Sequence, residues 1–125
     1  MSSTIFVNHA AGRDLSALYS YSQAAKLPNG TVILSGMIGI PGTSLEEQIT
    51  AILNHIEAAL LECAAKPADV YKLVSYHTEV ASIKVWQHAW AGRTKNQPTS
   101  TAVGVASLAI EGLFLEVQVE AWRGP

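Results

Sequence analysis

A single cysteine, Cys63, occurs in 125 residues. No internal disulfide can form, and a zinc site built on several thiolates is excluded. Charge is scarce too, at 14 % of residues against 49 % hydrophobic, the reverse of a disordered chain. The basic residues (Arg13, Lys26, Lys66, Lys72, Lys84, Arg93, Lys95, Arg123) are scattered, with only Arg93 and Lys95 close together, and the formal net charge is -2. That is a poor electrostatic footprint for nucleic acid, so no nucleic-acid partner is expected. No apolar run approaches the ~20 residues that span a bilayer, and no basic N-terminal stretch leads into an apolar one. No membrane partner is expected, and the expected compartment is the reducing cytoplasm. Phosphate-cradling glycine loops, a Gly-x-Ser-x-Gly elbow and His-x-x-x-His spacing are all missing. His9, His55, His77 and His88 therefore give no support to a metal centre, and no cofactor is expected.

What is present fits one domain over residues 1–125, long enough to bury roughly two-thirds of its unfolded surface. Pro28-Asn29-Gly30 and Pro41-Gly42 are strong turn signals. Between them, Thr31 to Ile40 is a nearly continuous apolar run that predicts a strand buried on both faces. Leu18 to Ala25 alternates polar and bulky residues and predicts the other arm of a hairpin. Ser44 with Glu47, and Thr43 with Glu46, fit a capping box. Leu45, Ile49, Ile52, Leu53, Ile56, Leu60 and Cys63 then recur at helical spacing up to Lys66-Pro67. Val70 to Val80 returns to β character, and a second helix is expected from Ser82 with Ile83, Trp86 and Trp90 on one side. Arg93 to Gln97 reads as a polar loop, and Thr101 to Leu108 as another strand. The last strand alternates, with Leu113, Leu115, Val117, Val119 and Ala121 on one face and Phe114, Glu116, Gln118, Glu120 and Trp122 on the other.

The resulting order is β-β-α-β-α-β-β. Two helices cannot cover both faces of such a sheet, so they pack on one face in a two-layer α+β domain. The other face then meets solvent or a second subunit, and its apolar content favours a subunit.

Chemistry-bearing residues are few. His55 lies beside the apolar helix stripe and reads as a solvent or boundary residue, while His77, mid-strand, is a packing residue first and a site residue second. Ser35-Gly36 and Gly39 weaken a strand, which points to a bulge or a close backbone approach. Glu116 and Glu120 flank Gln118 on the polar face of the last strand; covered by a neighbour, such a carboxylate becomes an acid able to orient water. Tyr19 and Tyr21, placed on the early strand, offer hydroxyls on apolar bodies.

The ordered set of motifs goes further. Tyr21-Ser22-Gln23-Ala24 and Ile33-Leu34-Ser35-Gly36-Met37-Ile38-Gly39 are followed by Leu45-Glu46-Glu47-Gln48, Ile52 to Leu60 and Asp69 to Val74. The chain closes with Gln97-Pro98-Thr99-Ser100-Thr101-Ala102-Val103-Gly104-Val105 and Leu115 to Ala121. In that order they resemble the YjgF/Rid family of reactive-intermediate deaminases, also labelled endoribonuclease L-PSP, over almost the whole chain. The resemblance implies a chorismate-mutase-like α+β fold with a mixed sheet, two helices on one face, and a homotrimer with ligand clefts between subunits. It also implies hydrolysis of imines or enamines to carbonyl products and ammonia without metal or cofactor. Tyr21 matches the family's cleft tyrosine, Gly36 the glycine whose backbone lines the pocket, and Glu116 the water-orienting acid. The arginine that clamps a substrate carboxylate falls on Ser100, and the neighbouring cysteine position holds Ala102.

A serine hydroxyl cannot give the bidentate, charge-assisted grip of a guanidinium, a loss of about 1.5–3 kcal/mol. The expectation is therefore an enzyme acting on a small imine, enamine or related carbonyl compound, with Glu116 handling water or a proton and Tyr21, Gly36, Ser100 and Thr101 binding the ligand. Classical 2-imino-acid deamination is disfavoured, and Arg93, in the preceding loop, is a candidate cation to replace the clamp. The alternative is a non-catalytic trimer that binds a metabolite or protein, followed by an endoribonuclease, which the charge balance opposes.

Overall fold

The computed structural model describes residues 3–8 and 13–125, without the side chains of residues 13 and 14. Its elements are β1 (Ile5–Val7), α1 (Arg13–Leu18), β2 (Ala24–Lys26), β3 (Thr31–Leu34), α2 (Leu45–Glu62), β4 (Val70–His77), α3 (Ala81–Thr94), β5 (Thr99–Gly104) and β6 (Leu115–Trp122). The strands form one mixed sheet in the order β1-β2-β3-β6-β4-β5. All neighbours are antiparallel except β4 and β5, which are parallel and joined through α3. Parallel neighbours need such a crossover because a short turn cannot return the chain to the same end of the sheet.

Helix α2 begins where the capping residues place it. Ser44 is extended, and its Oγ accepts the Glu47 amide at 3.1 Å, a cap whose removal costs about 1 kcal/mol. The helix ends at Glu62; Cys63 caps it, and Ala64 turns left-handed at φ 58° so that the Ala65 amide reaches Leu60 O. Its buried side, Ile49, Ile52, Leu53, Ile56, Ala59 and Leu60, packs on β3 and β6. Leu115, Val117, Val119 and Ala121 of central β6 are fully buried beneath it. Helix α3 adds Trp86 and Trp90, whose ring centroids lie 6.0 Å apart, over β4. Both long helices thus lie on one face. The other face carries Ile33, Val74, Tyr76, Glu116, Gln118 and Glu120, all half-buried.

Several elements differ from the sequence reading. The early arm of the hairpin is only Ala24–Lys26; residues up to Leu18 form the short helix α1, and Tyr19 and Tyr21 sit in the connection, not on a strand. Strand β3 stops at Leu34 and alternates between buried and half-buried positions instead of being buried on both faces. The chain then leaves the ladder and pairs with β6 again at the isolated Met37–Val117 bridge. Arg93 belongs to the last turn of α3, β4 ends at His77, and β5 covers 99–104. Strand β1, short and at the sheet edge, carries no alternation long enough to be seen in advance.

One junction fixes the loops around the open face. A Cβ on Gly39 would lie 2.7 Å from Gln48 Cα, so only glycine lets α2 approach this closely. Gln48 is fully buried; its Nε2 donates to Thr43 O and Gly112 O, and its Oε1 accepts the Phe114 amide. The loop between β5 and β6 is thereby fastened to the first turn of α2.

Candidate active site

Gly36 follows β3 where the ladder is interrupted. On one side Ser35 donates its amide to Gln23 O at 2.8 Å and its Oγ to Ser22 O at 2.6 Å. On the other, Met37 and Val117 exchange both backbone hydrogen bonds at 2.7 and 3.0 Å. The backbone between these clamps runs directly over Glu116. A Cβ added to Gly36 would overlap Glu116 Oε2, so the absence of a side chain makes room for the carboxylate.

Burial pushes the Glu116 carboxyl above the usual carboxylate range. Among the described residues no ion pair reaches it; the two ion pairs found join Lys72 to Glu120 and Arg93 to Glu57. Burial, reinforced by the nearby Glu116 charge, also raises the Tyr21 hydroxyl. Glu120, two pleats along the same face, is tied instead to Lys72 at 3.5 Å and to the Tyr71 hydroxyl at 2.8 Å. Of the two carboxylates, Glu116 is the one left free to act on a ligand or water.

Around Gly36 the surface is concave. A hollow of about 410 Å³ is lined by Tyr19, Tyr21, Gly36, Ile110 and Glu116 among others. It shares Tyr21, Ser35 and Gly36 with a cavity of about 510 Å³ that runs past Ile38 and Ile40 to His55. A shallower basin on the sheet face, with Tyr76 and Gln118, meets the same Gly36 and Glu116. The size suits a small molecule. His55, expected at a boundary, is half-buried and binds Ile38 O through Nδ1 at 3.0 Å; since a carbonyl only accepts, Nδ1 carries the proton. Leu15, Ile40, His55 and Ile110 line the cavity without a sequence signal: Ile40 and Ile110 lie in connections without periodicity, and Leu15 and His55 stand on helices that the sequence does not place beside those connections.

Tyr21, Gly36 and Glu116 therefore meet in one place. Ser100 and Thr101 do not join them within the chain. In register Ser100 pairs with Leu73 and Leu73 with buried Val119, which places Ser100 on the helix side, where it lines a small cavity with Trp86 and Trp90. Thr101 pairs with Val74, opposite Gln118, on the open side but two strands from β6. Arg93 is engaged elsewhere, donating to Asn54 Oδ1 at 2.6 Å and pairing with Glu57 on α2.

His77 does not line a site: it is fully buried between Ser75 and Ser82. Ser82 donates to Glu79 O, so it accepts from His77 Nδ1–H, and Ser75 then donates to Nε2. Burial lowers the pKa of this imidazole. His9 lies outside the described residues. Among the described residues no cluster of three His, Cys, Asp or Glu could hold a metal ion, and no helix is long and apolar enough to cross a membrane.

No curated protein matches the chain significantly. Solved structures do. Rv2704 from Mycobacterium tuberculosis, a member of the YjgF/YER057c/UK114 family, is 24 % identical with a TM-score of 0.79, over 96 % of this chain and 99 % of that one. NMB1025 from Neisseria meningitidis, of the YjgF family, is 27 % identical with a TM-score of 0.75, over 98 % and 96 %. TdcF from E. coli, solved with bound serine, is 23 % identical with a TM-score of 0.72, over 83 % and 88 %. The family described as Endoribonuclease L-PSP matches residues 11–122, nearly the whole described chain. With the fold and the ordered motifs in agreement, the chain belongs to the Endoribonuclease L-PSP (YjgF/UK114) family.

Proposed function

We propose that this protein is a Rid-type hydrolase that acts on a small imine, enamine or related carbonyl compound at the Glu116 cleft. One observation carries the reading: a half-buried carboxylate without an ion-pair partner among the described residues lies under the bare backbone of Gly36 and opens, beside Tyr21, into a cavity of ligand size. A carboxyl pushed upward by burial is a better base once ionised and a usable acid when protonated. Water oxygen adds to the C=N carbon while Glu116 takes its proton and passes it to nitrogen. The carbinolamine hydroxyl then gives up its proton through the same carboxylate, the C–N bond breaks, and ammonia leaves as the C=O bond forms. One water is consumed and no oxidant is needed.

Two features extend the reading to an oligomer. The open sheet face exposes Val103 and Trp122 and half-exposes Ile33 and Tyr76, while both long helices lie on the opposite face. Ser100 and Thr101 can reach a Glu116 cleft only if it belongs to a neighbouring copy, which accords with a homotrimer holding its ligands between subunits. TdcF, solved with bound serine, supports a small-molecule ligand for this fold. The buried Cys63 thiol suits a cytoplasmic setting.

The test is ammonia release from freshly generated imines by the wild type beside Glu116→Gln. A Glu116-dependent rate supports the assignment; equal rates for both proteins reject it. Ser100 in place of an arginine favours a second reading, a trimer that binds a metabolite without transforming it. Ligand binding without turnover would select that reading. The endoribonuclease activity in the family's description finds little support in a net charge of -2 with dispersed basic residues.

A further inference from the structure

We propose that the ligand of this site lacks a carboxylate and carries a bulky apolar group, which fills the lobe between Tyr19, Ile38, Ile40, Ile110 and His55. The inference rests on the reading of the Glu116 cleft as the functional site and deepens it by naming the ligand class. Three observations carry it.

The lobe is large, about 510 Å³, and its walls are mostly aliphatic and aromatic. No Lys or Arg is among its described lining residues. Two of its polar groups are already committed, Ser35 Oγ to Ser22 O and His55 Nδ1 to Ile38 O.

The charge adjoining the lobe has the wrong sign for a carboxylate. Glu116 opens into the connected space past Tyr21 and Gly36. A second carboxylate there would lose hydration, find no cation among these residues and face like charge.

Finally, large apolar side chains stand uncovered at the mouth. Ile40 is 64 % exposed and Tyr19 61 % exposed, although both line the cavity. A ligand with an apolar body packs against them; a small acid such as pyruvate offers no matching surface.

Two readouts separate this inference from the catalytic reading. The first is binding of acetophenone and of pyruvate to the full chain, followed by amide chemical shifts. Acetophenone should saturate at a concentration about tenfold or more below pyruvate, shifting Ile38, Ile40 and Ile110, because hydrophobic pockets discriminate on that scale. Ile110→Trp, which fills the lobe, should weaken acetophenone binding about tenfold. Ile40→Arg, at an exposed position that folding tolerates, should move the preference toward pyruvate.

The second readout is ammonia release from 1-phenylethan-1-imine and 2-iminopropionate by wild type and Glu116→Gln. Pyruvate binding at least as tight as acetophenone, or 2-iminopropionate turned over at least as fast as the phenyl imine, overturns the inference. Glu116-dependent turnover in that case leaves the catalytic reading standing. Acetophenone binding without Glu116-dependent ammonia release upholds the ligand class and overturns the catalytic role. Absence of saturable acetophenone binding overturns the inference whatever the turnover.

Discussion

Ser100 and Glu116 lie on opposite faces of the same sheet, separated by strand β4. Ser100 shares the helix side with Leu73 and Val119, whereas Glu116 pairs with Tyr76 on the open side. Neighbouring strands are about 4.8 Å apart, so two steps of the ladder, roughly 10 Å, also divide them laterally. A guanidinium at position 100 would not reach a ligand held by Glu116 of its own chain. Ser100→Arg should therefore raise 2-iminopropionate hydrolysis only in the assembled oligomer, by about tenfold or more if a charge-assisted grip is restored. Kinetics paired with size-exclusion chromatography across a dilution series check this. No gain in the oligomer would remove Ser100 from the site.

Gly36 offers a cleaner perturbation of the same cleft. In Gly36→Ala the new methyl meets the end of the Glu116 side chain, which can swing away without moving backbone. Folding should survive with little change in Tm, while the carboxylate is displaced from its working position. Displacements of about 1 Å can cost on the order of a hundredfold in rate, and a loss of that size is expected here. Gly39→Ala is the contrast, because its methyl meets Gln48 backbone and should cost about 1–3 kcal/mol in stability. A Gly36→Ala enzyme with normal activity would remove the carboxylate's position from the mechanism.

Residues with periodic neighbours were the ones legible in the sequence. The α2 stripe from Leu45 to Leu60 and the alternation of β6 from Leu115 to Ala121 each repeat one packing environment often enough to declare it. Those two patterns put Glu116 on the uncovered face, and the weakness of glycine in a strand marked Gly36. The motif order supplied Tyr21. What stayed hidden depends on contacts distant in sequence. The lobe needs Gln48 to bind Gly112 and Phe114, 64 and 66 residues away, before Ile110 can meet Ile40. Tyr21 reads as a strand residue because Tyr19-Ser20-Tyr21-Ser22 alternates bulky and polar side chains, although this stretch is the connection between α1 and β2. His77 was ambiguous for a related reason: a polar residue inside a strand looks the same whether its partners are a ligand or two serines.

The buried Glu116 carboxyl also sets a pH dependence of stability. Its pKa is raised in the folded protein, so the folded state binds more protons than the unfolded state over the affected window. Its contribution is therefore present below the unfolded value and lost as pH rises through the folded one. Glu116→Gln removes the ionisation while keeping the side chain's size. The variant should melt higher than wild type at neutral pH, with the difference closing as pH falls below the ordinary value of 4.5. Thermal melts of both proteins from acid to neutral pH check this. A Gln variant that melts lower at neutral pH would show that the charged form is stabilised by the fold.

His77 predicts the opposite slope. Burial lowers its pKa, so the unfolded chain takes up a proton that the folded protein refuses. Stability is complete above the ordinary value of 6.5 and declines as pH falls from there toward the depressed folded value. Protonation would also force the Ser75 hydroxyl to turn from donor to acceptor, because Nε2–H would then face its Oγ. His77→Leu abolishes the titration and flattens the curve on the acid side. It leaves Ser82 bonded to Glu79 O but strips Ser75 of its acceptor, at a cost of about 1–3 kcal/mol at neutral pH. Since His77 touches no part of the Glu116 cleft, kcat and KM at neutral pH should be unchanged in this variant. A parallel fall in activity and stability below pH 6.5 would belong to unfolding, and the Leu variant separates that from any acid titration of the cleft itself.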